Sequence, residues 1–150
     1  MFTRQRPEAQ TKPHEARARF RQGLAVPTSG WSDGYVQTNL VSVPSRHAIA
    51  LRRFAVRNLR ACPLLEVVAA GRFATDLAPG ADLRRDLPAY RVWRKGQLAA
   101  ERTDVVDLWN SDLVTFLTGC TFTFEPFWNG PASRCAIRSR GSTCRCTGPM

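Results

Sequence analysis

Asp82-Leu-Arg-Arg-Asp86 sets two aspartates around two arginines, just ahead of Pro88. A guanidinium presents paired N–H donors in a planar fork, so Arg84 or Arg85 matches the geometry of a carboxylate. Asp82 and Asp86 are candidate proton carriers beside them, as is Glu125 at the end of Cys120-Thr-Phe-Thr-Phe-Glu125. Cys120 follows Gly119 and becomes a nucleophile if its surroundings favour the thiolate. Gln37 and Asn39 stand two apart in an alternating stretch, which puts two amides on one strand face where they can line a ligand cleft. Each candidate has a purely structural alternative. The charges at 82–86 also suit a loop-stabilising ion-pair cluster, and Cys120 suits a buried, inert thiol. Glu125 suits a helix cap, and the two amides suit a solvent-facing strand side.

The elements that must position these residues alternate between helix and strand, which predicts an α/β or mixed α+β fold, a layered sheet with flanking helices. Met1–Pro13 is polar and proline-bearing and reads as a disordered leader. His14–Gln22 has the composition of a short helix closed by Gly23. Tyr35–Val43 alternates polar and apolar residues and reads as a strand. Ser45–Arg60 reads as a helix burying Ala48, Leu51, Phe54 and Ala55, with its arginines on a solvated face and His47 in the first turn. Pro63–Val68 is an almost continuous apolar run and reads as a buried strand. Residues 71–80 form a loop, Ala89–Trp93 a strand, Arg94–Gly96 a turn and Gln97–Thr103 the returning strand. In Trp109–Glu125, Ser111 or Asp112 reads as the N-cap of a short helical turn over Leu113–Leu117, which Gly119 ends. Cys120–Phe124 then reads as a strand with Phe122 and Phe124 on one face.

Charge and cysteines narrow the function classes. The chain of 150 residues carries a formal charge of +10. Residues 1–23 hold a net +4 and residues 126–150 another +4, so the body at 24–125 is nearly neutral. A nucleic-acid binder should instead carry its basic face inside the fold, so no nucleic-acid partner is expected. No run approaches the length of a membrane span, and Met1–Arg21 lacks the apolar core of a secretory signal, so no membrane partner is expected. Free thiols in a reducing cytoplasm are the expectation for Cys62 and Cys120. Cys144-x-Cys146 lacks the spacer and second ligand pair of a zinc site, and no Gly-rich phosphate loop, HExxH or GxSxG occurs. Neither a metal nor a cofactor is expected.

Four spaced blocks give the chain a family resemblance: GYVQTNLV at 34–41, CPLLEV at 62–67, APGADLRRDLPAYRV at 78–92 and DLVTFLTGCTFTFE at 112–125. In that order they resemble the DUF1445 (UPF0317) family of hydro-lyases, which includes the D-glutamate cyclases, from about Ala16 to Glu125. One departure is Leu59-Arg60-Ala61, where the family usually carries a lysine-proline pair before CPLLEV. The resemblance implies a small carboxylic-acid substrate, with D-glutamate closing to 5-oxo-D-proline and water. Such chemistry needs donors to hold carboxylates, an acid for the departing oxygen and a base for the amine. Arg84, Gln37 and Asn39 are then the candidate substrate-binding residues, and Asp86, Glu125 and Cys120 the candidate catalytic ones. A non-catalytic module that binds small acids through Gln37, Asn39 and Arg84 is the alternative.

Family members continue well past the equivalent of Glu125, so an incomplete domain spanning 14–125 is expected, inactive or poorly folded alone. Pro126–Met150 has four arginines, three cysteines, no acid and no apolar periodicity. Read from the third base of each codon, Pro131–Ile137 can become Gly-Ile-Pro-Val-Arg-His, and Gly141–Met150 can become Val-Asn-Val-Pro-Met-Tyr-Arg-Thr-Asn. Both strings resemble the family's segment just after the Phe-Glu block, so the tail is expected to be a frame-shifted reading; the alternative is a basic tail that binds an acidic partner. Sequencing the coding DNA checks this: the shifted frame should stay open through codon 150, and a stop or unrelated codons there would contradict it.

Overall fold

The computed structural model describes residues 8–120 and Thr123. The expectations for residues 1–7, for Phe122, Phe124 and Glu125, and for the tail at 126–150 lie outside those residues. Helix α1 spans Pro13–Arg21, with proline in the first turn, where its missing N–H costs nothing. The Glu15 carboxylate accepts the backbone N–H of Lys12 at 3.2 Å, satisfying a donor left open at the helix start. Gly23 leaves the helix at φ +94°, as the sequence predicts for a closing glycine. Ala16 and Phe20 are buried with Val26 and Trp31 in a small core of their own, the Phe20 and Trp31 rings 5.6 Å apart. Residues of the expected leader join this unit, since Asp33 donates its N–H to the Ala9 carbonyl at 2.8 Å.

The second unit is a three-stranded antiparallel sheet. Strand β1 (Thr38–Pro44) runs into helix α2 (Ser45–Arg57), and strand β2 (Leu64–Val68) comes next. Strands β3 (Tyr90–Arg94) and β4 (Gln97–Arg102) form a separate hairpin. A 3-10 turn at Val106–Leu108 then leads to strand β5 (Leu113–Gly119). The sheet order is β1-β5-β2, so the last strand lies between the first two. Two helices with antiparallel sheets make the fold mixed α/β, as expected.

The helical turn expected over Leu113–Leu117 is instead β5. Leu117 meets Leu40 and Glu66 across the sheet, and packs with Val68 and Leu83 on one face. Phe116, 1% exposed, points to the opposite face. A strand covered on both faces shows a continuous apolar run rather than alternation, so its period is hidden. Val114, Thr115, Phe116 and Thr118 are residue types that favour strand. Asp112 does cap a helix, but a distant one: it accepts bonds from the backbone N–H and hydroxyl of Ser45 at the start of α2.

Three further expectations are corrected. Pro63–Val68 is an edge strand, with Leu65 and Val67 exposed and a bulge between Leu64 and Glu66. The bulge turns Glu66 to the 75–77 turn, where its carboxylate accepts N–H bonds from Asp76 at 3.2 Å and Leu77 at 3.3 Å. Phe54 is 56% exposed, because it lies roughly 90° around α2 from the mean direction of Ala48, Leu51 and Ala55. The strand expected from Tyr35 begins only at Thr38, because the Gln37 side chain is bonded back into the loop before it.

Gly71 is the joint between the sheet and the long loop after β2. It adopts φ +77°, donates to the Leu113 carbonyl at 3.0 Å, and an added Cβ would lie 3.0 Å from the Ser111 backbone. Gly71→Ala should therefore destabilise the chain by about 1–3 kcal/mol, read as a lower urea midpoint at unchanged slope. An unchanged midpoint would show the joint to be slack.

Candidate functional site

The loop between β2 and β3 is held by a network of carboxylates and guanidinium groups. Asp86, 4% exposed, accepts Arg21 Nε on Oδ1 and Nη2 on Oδ2, both at 2.7 Å. Its Oδ2 also accepts the Asp82 backbone N–H at 2.8 Å. Asp82 in turn accepts the backbone N–H and Nε of Arg84 on Oδ1, at 3.0 and 2.9 Å. Its Oδ2 takes Arg84 Nη2 at 2.9 Å and Arg85 Nε at 3.1 Å. Burial pushes the Asp82 carboxyl up, but the bonds from Arg84 and Arg85 outweigh it and hold it at about 2. The Arg84 guanidinium also lies over the Phe73 ring, 3.7 Å from its centroid. Tyr90 closes the loop from β3 by donating its hydroxyl to the Leu83 carbonyl at 3.0 Å, and burial pushes that hydroxyl's pKa up.

This network and α1 wall one cleft of about 1100 Å³. α1 contributes Pro13, Ala16, Arg17 and Phe20, while residues 35–42 supply the wall along β1. The loop contributes Thr75, Leu83 and Asp86, and the hairpin contributes Tyr90, Arg91 and Trp93. Leu113 and Leu117 of β5 reach the floor with Trp109, and Leu65 joins from β2. All four blocks of the family resemblance therefore meet at one cleft.

The candidate residues fall in different places. Asp82, Arg84, Arg85 and Asp86 come together, but each is engaged by another member of the network or by Arg21. Of these four, Asp86 alone lines the cleft. Gln37 lines it too, with its Nε2 donating to the Thr28 and Trp31 carbonyls at 3.1 and 3.0 Å. Its Oε1 is buried without a hydrogen-bond partner among the described residues. Asn39 also lines the cleft, exposed near the start of β1. Cys120, a free thiol, sits just after β5 and donates its backbone N–H to the Gln37 carbonyl at 3.1 Å. His47 is exposed, with its Nε2 accepting Arg46 Nε at 3.1 Å. Glu125 lies outside the described residues.

The sequence reading missed Arg21 and Arg17. The signal was present in the helical spacing of Pro13, Ala16, Arg17 and Phe20, which share one face. Nothing local pointed to the pairing of Arg21 with Asp86, which are 65 residues apart. Among the described residues, no group of three or more His, Cys, Asp or Glu side chains could hold a metal ion. No described helix is long and apolar enough to cross a membrane.

No family model matches the chain. Curated relatives do. A protein of Streptomyces coelicolor is 53% identical over 126 residues, covering 84% of this chain and 45% of its own. One from Streptomyces avermitilis is 55% identical over 113 residues, covering 75% of this chain and 41% of its own. A third, from Rhizobium rhizogenes, is 49% identical over 137 residues, covering 90% of this chain and 50% of its own. All three bear the name "putative hydro-lyase". The chain spans about half the length of the curated relatives it matches.

Asp82 gives this site a pH signature. Its folded pKa is depressed from 3.8 to about 2, so its stabilisation is complete above about pH 4 and lost as pH falls through that window. The loss amounts to about 2 kcal/mol. Urea unfolding at pH 5 and pH 2 should show Asp82→Asn with a pH dependence flatter by that amount. Equal slopes for both proteins would contradict it.

Proposed function

We propose that the chain is the N-terminal part of a hydro-lyase of the DUF1445 family, acting on a small carboxylic acid. The observation that carries this reading is the convergence of all four resemblance blocks on one cleft, in a chain 53% identical over 126 residues to a relative named "putative hydro-lyase". D-Glutamate is the substrate we assign. Its amine attacks the side-chain carboxylate carbon, the new C–N bond displaces one carboxylate oxygen as water, and 5-oxo-D-proline remains. The cleft offers guanidinium groups for carboxylates, while the Gln37 amide is held in its wall by the Thr28 and Trp31 carbonyls. In this chain alone the acid and base are incomplete, because Asp86 is held by Arg21 and by the Asp82 N–H. The same engagement of Asp86 favours the second reading, a module that binds a small acid without turnover.

Incubation with D-glutamate separates these. The S. coelicolor relative should release 5-oxo-D-proline, while the purified 150-residue chain should bind D-glutamate and release none. Binding without product by the relative as well would favour the module. Neither binding nor product in both proteins would overturn the carboxylic-acid reading.

A further inference from the structure

Arg17 stands alone on an otherwise apolar helical face. Pro13, Ala16 and Phe20 line the cleft at the spacing that packs a helix against its surroundings, and the remaining position of that face is a guanidinium. The neighbouring arginines all have acids. Arg19 pairs with Glu8 at 2.7 Å, Arg21 with Asp86 at 2.7 Å, and Arg91 with Glu101 at 2.9 Å. Arg17 is half-buried, yet among the described residues its side chain has no hydrogen bond and no ion pair. Arg94 also lines the cleft without an acid, but it is exposed at the hairpin turn, where water solvates it.

A half-buried cation without a counter-charge loses hydration and gains nothing in return, until an anion arrives. Asp86, the one described carboxylate lining the cleft, is engaged by Nε and Nη2 of Arg21. That pairing also pins α1 one helical turn beyond Arg17, which fixes the direction in which Arg17 projects. The cleft therefore presents a positioned cation with its own acid already neutralised.

We propose that Arg17, rather than Arg84, is the carboxylate anchor of the cleft, taking a small mono- or dicarboxylate through paired N–H donors. This rests on the reading of the cleft as a carboxylic-acid site. Arg84 is unsuited to that role, since its fork is filled by Asp82 and its plane lies over Phe73. A guanidinium in this position gives a bidentate contact that lysine cannot reproduce.

Calorimetric titration of the 150-residue chain with glutarate tests this, with thermal unfolding as the check on folding. Arg17→Gln should raise Kd at least tenfold and Arg17→Lys severalfold, both at an unchanged Tm, while Arg53→Gln, exposed on α2 and outside the cleft, should stay within twofold. If the unsubstituted chain binds glutarate and Arg17→Gln binds equally well, Arg17 is not the anchor, although the carboxylic-acid reading survives. An Arg17→Lys Kd equal to that of the unsubstituted chain overturns the bidentate anchor even if Arg17→Gln fails to fold. If the unsubstituted chain binds no glutarate, the Arg17 anchor falls, and D-glutamate turnover by the S. coelicolor relative decides the carboxylic-acid reading separately.

Discussion

The pairing of Arg21 with Asp86 is the contact on which the cleft depends. It joins the last turn of α1 to the loop between β2 and β3, two segments that share no sheet and no other ion pair among the described residues. Asp86 also receives the Asp82 N–H, so the same carboxylate that anchors the helix shapes the loop's turn. Asp82 then orients Arg84 and Arg85, and Arg84 passes the constraint to Val105 by accepting its N–H at 2.8 Å. One carboxylate thus ties the α1 unit to the approach of β5. A carboxylate this buried would be costly without the paired donors, which is why the network is filled so completely.

That completeness changes how the acidic and basic residues are to be understood. An Asp-Arg-Arg-Asp run looks like catalytic equipment in a sequence, because the same residue types hold carboxylates and move protons. In the fold, the four side chains are directed at one another and at Arg21. The half-buried guanidinium left over in the cleft is Arg17, which the sequence shows only as one of several arginines in a short helix. Free capacity, rather than residue type, distinguishes the two.

The range of each interaction decides how much of it is legible in the sequence. α1 and its closing glycine, the β3–β4 hairpin with its turn, and the body of α2 rest on local signals, and these are readable. β5 is not, because burial on both faces removes the alternation that marks a strand, and its apolar run then resembles a helical turn. Asp112 is legible as a capping residue, but local reading matches it to the adjacent segment, whereas its partner Ser45 is 67 residues away. Phe54 suits the core by composition, yet it is exposed while Ala55 is the buried residue of α2. The cleft itself is legible only as separate blocks, since α1, β1, the loop and the hairpin meet through contacts that no local pattern records.

Arg21 and Asp86 hold the cleft together as a pair. A double-mutant cycle with Arg21→Met and Asp86→Asn, read by urea unfolding at pH 7, measures their coupling directly. Arg21 is about half exposed, so solvent screening limits the value, and the account predicts a coupling of about 2 kcal/mol. Additive single substitutions, with coupling near zero, would contradict it.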